Sequence, residues 1–250
     1  GEAIAMSLYP PPEIITAEVH VSVVDALELE PVHNDLVDEH VGKPIHSFLE
    51  GPSIDLHGNL YVVNAFFGQI LRVRPNREVE IVADYHGFPN GLKIHRDGML
   101  HIVDRINGVI RMDPASGEWE AICPVERLEP GYKGLNDLVF DSAGNIYFTD
   151  QGDSHLLQPD GRVFRLNADG SLDLLMEGLP GPNGLVLNPR ETHLFVAMTY
   201  GPTVWRAELT GKGVRKVGVF QHLSGGYSGP DGMAMDVNGG LAVCHNRLGT

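Results

Sequence analysis

The sequence predicts an all-β protein, a β-propeller of four-stranded antiparallel blades. Three observations predict it: a polar-plus-glycine motif recurs at near-constant spacing, each copy leads into the same succession of short apolar runs, and no run carries sustained helical periodicity. The copies are EGPSID from Glu50, NGLKIH from Asn90, NDLVFD from Asn136, NGLVLN from Asn183 and DGMAMD from Asp231, at spacings of 40, 46, 47 and 48 residues. A sandwich of hairpins would explain the strands but gives no reason for one four-strand order to recur.

The elements of each repeat follow in order. The motif itself alternates apolar residues, as a first strand should. HGNLYVV, RDGMLHIVD, SAGNIYFTD, PRETHLFVAM and NGGLAVCH then supply turns and second strands. GQILRVRP, NGVIRMDP, DGRVFRLN and PTVWRAEL are third strands, and VEIVADY, WEAICPV, LDLLMEG and RKVGVFQ are fourth strands. Gly and Asn at the turns accept the positive φ that hairpins demand, while β-branched and aromatic residues fill the runs between them. The fifth repeat reaches only CHNRLGT, so the last blade is incomplete in the chain as given. Residues 1–45 form an N-terminal segment in which TAEVHVSVVDAL is placed to supply a ring-closing strand, and residues 46–250 form the propeller as a single domain.

Composition bounds the partners. A net charge of −15, from 18 Lys and Arg against 33 Asp and Glu, argues against nucleic acid and anionic membrane. Two cysteines, Cys123 and Cys244, make no disulfide framework, so a reducing, cytoplasmic compartment is the simpler expectation. No apolar stretch is long enough to span a membrane as a helix. The opening GEAIAMSLYPPP does not read as a signal peptide, because no basic segment precedes an apolar core. Neither a Ser/His/Asp or Cys/His arrangement nor a phosphate-cradling or nucleotide motif is visible.

The polar residue of the motif carries the chemistry. A position shared by all repeats of a propeller faces the same axis each time, so Glu50, Asn90, Asn136, Asn183 and Asp231 are expected to converge. A turn residue would be Gly, Asn or Asp, whereas Glu is too long to mimic a turn. Two carboxylates facing one another would repel unless a cation sat between them. Carboxylate and amide oxygens are hard donors, which suits Ca²⁺ first, with Mg²⁺ or Mn²⁺ next and Zn²⁺ less well matched. Of the histidines, His46, His101, His155 and His245 lie near strand ends. Each is read as structural or superficial, with His245, after the Asp231 repeat, the best placed of them.

The stretches LEGPSID, GLNDLVFDSAGNIYFTD, QPDGRVFRL, GPNGLVLNP, GPDGMAMD and CHNRLG resemble the gluconolactonase, senescence-marker-protein and regucalcin-like six-bladed propellers, which are more distantly similar to diisopropylfluorophosphatase and the paraoxonases. The resemblance implies a catalytic divalent cation on Glu50, Asn136, Asn183 and Asp231. It implies a substrate-side position for Asn90, and for Asp137, which replaces the motif glycine, a place beside the ion or its ligands. One departure stands out: the animal sugar lactonases carry Arg two residues before the equivalent of Asn136, where this chain has Gly134, next to Lys133. The expected activity is hydrolysis of a small-molecule lactone, with Asp231 as base and Glu50 as the second candidate. An organophosphate or aryl ester hydrolase using the same site is the alternative. A non-enzymatic propeller with a structural ion is the alternative of another class, although with only Trp119 and Trp205 and few other aromatics no docking face is legible.

Overall fold

The computed structural model describes residues 15–225 and 228–246, so the opening GEAIAMSLYPPP and the end of CHNRLGT lie outside the described residues. Two short helices come first. α1 (Val23–Ala26) is capped by Ser22, whose hydroxyl accepts from Asp25 N, and α2 (Asp35–His40) by Asn34, whose Oδ1 accepts from Val37 N at 2.8 Å. The stretch TAEVHVSVVDAL, expected to pair as a strand, is therefore irregular chain ending in α1.

Eighteen strands follow among the described residues. The first sheet is β1 (Leu49–Ile54), β2 (Leu60–Asn64), β3 (Gln69–Val73) and β4 (Val79–Asp84); the second is β5 (Pro89–Ile94), β6 (Leu100–Asp104), β7 (Gly108–Met112) and β8 (Trp119–Cys123). The third is β9 (Leu135–Phe140), β10 (Ile146–Asp150), β11 (Gly161–Leu166) and β12 (Leu172–Leu179). The fourth is β13 (Pro182–Leu187), β14 (His193–Met198), β15 (Thr203–Thr210) and β16 (Gly213–His222). A two-stranded sheet, β17 (Pro230–Met235) with β18 (Leu241–His245), ends the described chain. Every sheet is antiparallel and ordered as in the sequence, so each four-stranded blade is a meander of tight turns.

The core lies between sheets rather than within one. Val63 and Ile70 of the first blade pack against Leu92, Ile102 and Ile110 of the second. Val103 and Val109 of the second meet Leu138 and Phe148 of the third. Val163 and Met176 of the third meet Leu185 and Val196 of the fourth, and Phe195 and Val204 of the fourth meet Met233 of the two-stranded sheet. The second strands of the four-stranded blades are therefore packed on both faces, and β6, β10 and most of β14 are buried along their length. The outermost strand is solvated, most completely in β16. On the outer side of the first sheet, Val23 of α1 covers Val62 and Leu71.

One irregularity repeats in every blade. Between Glu50↔Val63 and Ser53↔Tyr61, three residues of the first strand span two of the second; the same holds between Pro89 and Leu92, Leu135 and Leu138, Pro182 and Leu185, and Pro230 and Met233. This β-bulge coincides with the polar-plus-glycine motif and re-aims its side chains. The glycine also lets successive first strands touch. A Cβ on Gly91 would stand 2.7 Å from Asn136 O and from Asp137 Cα, and one on Gly184 would stand 2.5 Å from Asp231 O. Gly51 combines such a contact, 2.6 Å to Asn90 O, with a φ of +56°.

Gly91→Ala is accordingly expected to lower stability by about 1–3 kcal/mol, because the obstructing atoms are backbone and cannot swing away. Gly218→Ala, on β16 with nothing within 4 Å of its would-be Cβ, should stay within about 0.5 kcal/mol of the parent. Urea unfolding of both variants checks the pair, and equal losses would remove the close-approach explanation.

Candidate functional site

The five bulges meet. A cavity of about 250 Å³ is lined by Glu50, Asn90, Asn136, Asn183 and Asp231, with Asp137 and Lys93 among its other walls. Each of the five is the second residue of its blade's first strand. A strand repeated around a common face delivers the same register position to the same place, and the bulge turns that position inward.

Neighbouring groups fix how these side chains present themselves. Asn136 Nδ2 donates to Gln151 Oε1 at 2.7 Å, which leaves Asn136 Oδ1 as its open acceptor. The Asn183 and Asn246 amides lie near the Asp231 carboxylate and hold it down. Where Asp137 takes the place of the motif glycine, Thr149 bridges the two first strands: its hydroxyl accepts from Asp137 N at 3.0 Å and donates to Asn183 O at 2.9 Å. Lys93 Nζ stands 3.8 Å from Asp137 Oδ1, a loose ion pair.

The electrostatics of the cavity are those of crowded acids. Burial, with the charges of Asp231 and Asp137 added to it, pushes the Glu50 carboxyl up from 4.5 to about 7. Burial also raises Asp231, against the two amides that hold it down. Among the described residues no group of three or more His, Cys, Asp or Glu side chains is arranged to hold a metal ion. The donors here are instead mixed, two carboxylates with the amides of Asn136 and Asn183. That set fits a hard cation with room for water, and a cation would offset the acidic charges that add to burial in raising Glu50.

The structure separates the histidines. His101 is buried between the second and third blades, edge-on to Phe140 at 4.9 Å, and burial pushes it down to about 4. His46 is exposed before β1, and His155 sits in an exposed turn paired with Gln158. His245 pairs across the ladder with Pro230, next to Asp231, and is buried with neither ring nitrogen bonded among the described residues.

The supporting groups were not singled out in the sequence. Gln151, Asn246, Thr199 and Arg105 all occupy one repeat position, the first residue after the second strand. Thr199 Oγ1 donates to Pro230 O at 2.7 Å, holding the start of β17. Arg105 lies against Gly134: a Cβ there would stand 3.5 Å from Arg105 Cδ and Nε. The space above the residue where the sugar lactonases carry Arg is thus occupied by an Arg from the neighbouring blade. Aligning the residue after the second strand across repeats would have found this polar column.

Stacked four-stranded meanders whose first strands converge on an oxygen-lined cavity define a β-propeller with a polar site. Residues 48–250 match the model of the SMP-30/Gluconolactonase/LRE-like region family, and the chain belongs to that family. It is 33% identical over 175 residues to a gluconolactonase of Zymomonas mobilis, an alignment covering 61% of this chain and 48% of that protein. Against the curated relatives it matches first, the chain spans 48% to 62% of their length. In three dimensions it is similar to a gluconolactonase from Xanthomonas campestris, with a TM-score of 0.68 and 24% identity over 79% of this chain and 69% of that one. It is similar to the same degree, 0.68 at 20% identity over 79% and 67%, to a calcium-binding regucalcin from Agrobacterium tumefaciens. At these identities the two structures bear on the fold.

Because the Glu50 carboxyl is raised in the folded state, its contribution to the stability of the cation-free protein is complete below 4.5 and is lost as pH climbs through about 7. The cation-free protein is expected to lose up to about 3 kcal/mol between about pH 5 and about pH 8 from this group. Glu50→Gln should flatten that decline, as read by urea unfolding at the two pH values. An unchanged slope in the variant would remove Glu50 as its source.

Proposed function

We propose that the protein hydrolyses the ester bond of a small-molecule lactone in the cavity formed by the five bulges. One observation carries the reading: two acids and three amides, each from a different blade, stand around one cavity in a chain of the gluconolactonase family. Glu50, Asn136, Asn183 and Asp231 would hold a divalent cation, Ca²⁺ first among the candidates, which when bound would supply charge stabilisation to a lactone carbonyl oxygen.

The chain's own groups do the rest. Asp231 accepts a proton from the attacking water at a carboxylate oxygen, beside the Asn183 and Asn246 amides that hold its carboxyl down. Glu50 is the second candidate for that role. Gln151 holds the Asn136 amide so that its oxygen stays turned to the cavity. Asn90 contacts substrate, and Asp137, tied to Lys93 and Thr149, steadies the neighbouring strand. A ring ester is activated enough for water to attack under these conditions. An amide is a poor fit.

The test is proton release from aldonolactones, aliphatic lactones and aryl esters by metal-stripped protein, with Ca²⁺, Mg²⁺, Mn²⁺ or Zn²⁺ restored in turn. Turnover is expected only with a cation. Asp231→Ala should lower it at least about a hundredfold, and Asn183→Ala should weaken cation binding while thermal unfolding of the cation-free protein stays cooperative. Tight cation binding without hydrolysis of any compound would overturn the lactonase reading in favour of a structural ion.

A further inference from the structure

Arg105 is anchored but has no partner for its charge. Its backbone N–H donates to Phe88 O at 2.9 Å, and its carbonyl accepts the Tyr132 hydroxyl at 2.7 Å. Its guanidinium carbon lies 5.1 Å from the centre of the Phe88 ring, and its stem packs against Gly134. Nε is buried without a hydrogen-bond partner, and among the described residues the guanidinium makes no ion pair. The nearby acids are spoken for or out of reach. Asp150 accepts from Lys133 N, Gly134 N and both Nε and Nη2 of Arg162. Asp153 is exposed, and Glu50 feels the guanidinium only as a minor pull against its burial.

Arg105 lies beside the cavity rather than among its lining residues, close enough for Glu50 to feel its charge. Asp104 pairs with Pro89 across β5 and β6, so Arg105 sits at the same end of its blade as Asn90. A half-buried guanidinium with unused donors carries a desolvation cost that an oxygen ligand would offset. Its planar fork and full charge match a carboxylate, which offers two oxygens and the opposite charge. A hydroxyl offers one acceptor and no charge.

We infer that Arg105 is a specificity-determining residue that binds a free carboxylate on the substrate, and that the preferred class is therefore acidic lactones, those formed from sugar diacids or similar dicarboxylates. The inference rests on the lactonase reading above and narrows it. Lys93 is the one cation among the lining residues of this acid-rich cavity, and Arg105 adds a second positive charge beside it.

The experiment compares kcat/KM for glucaro-lactone, which bears a carboxylate, with that for glucono-lactone, which does not, in the cation-loaded protein and in Arg105→Met and Arg105→Lys. The parent should prefer the acidic lactone, and Arg105→Met should lower the ratio of the two by about tenfold or more, mainly through KM. Arg105→Lys, which keeps the charge and loses the fork, should fall between them and guards against a misfolded Met variant. A ratio unmoved by both substitutions overturns the inference. Calorimetric binding of the glucarate dianion is measured alongside and needs no turnover. If no lactone is hydrolysed, the lactonase reading fails, while affinity for glucarate that is the same in parent and Arg105→Met still decides against Arg105.

Discussion

The contact between successive first strands is the constraint on which the rest of this structure depends. At Gly51, Gly91 and Gly184 a backbone atom of the next blade occupies the space where a side chain would begin. Strands that approach so closely leave no room for a regular ladder, and each first strand relieves the conflict with a bulge at the same point. The bulge turns the preceding residue away from the packed faces of the sheets. A polar residue is then required there, since apolar burial is already complete between Val63, Ile102, Phe148 and Val196 and their neighbours. The site is thus a by-product of how blades are stacked.

Where the motif changes, the contact is made by other means. Asp137 replaces glycine in the third blade, and the Thr149 hydroxyl spans from Asp137 N to Asn183 O. In the next interval Thr199 reaches Pro230 O. The buried Asp150–Arg162 pair belongs to the same logic, since Asp150 also collects the N–H groups of Lys133 and Gly134 and so holds the entry to β9. Breaking such a pair from one side leaves a buried charge uncompensated, which is costlier than the pair is favourable. Gly134, with a φ of +134°, sits in the loop this pair organises, and the stem of Arg105 lies over it.

Crowding acids into one cavity has an energetic consequence that runs through the site. Glu50 gains nothing from its surroundings except the Gly51 backbone and the charge of Arg105, and it is opposed by burial and two other acids. A protein keeps such an arrangement at a cost to its own stability unless a ligand offsets it. The propeller by itself would not decide what that ligand is, because the same architecture hosts unrelated chemistry. The donor set bears on it through Asn136, whose amide donates to Gln151 and whose Oδ1 is left open.

The sequence alone determined the blade count within the chain, the order of strands in each blade and the identity of the cavity residues. Repetition made these legible, since a motif at fixed spacing with period-two alternation behind it admits few arrangements. Glu50, Asn90, Asn136, Asn183 and Asp231 were found because they share a column, and Asp137 because it breaks one. Gln151, Asn246, Thr199 and Arg105 share a column too, but their types differ, and the polar contacts of the first three run to different partners in different blades. Only the tertiary structure decided which way the Asn136 amide faces, that the N-terminal stretch at Val23–Ala26 packs as a helix on the first sheet, and that an Arg from the second blade covers Gly134 of the third. The physical reason is range: alternation and turns are set by neighbours along the chain, whereas these contacts join residues whose separation in sequence carries no signal of their meeting.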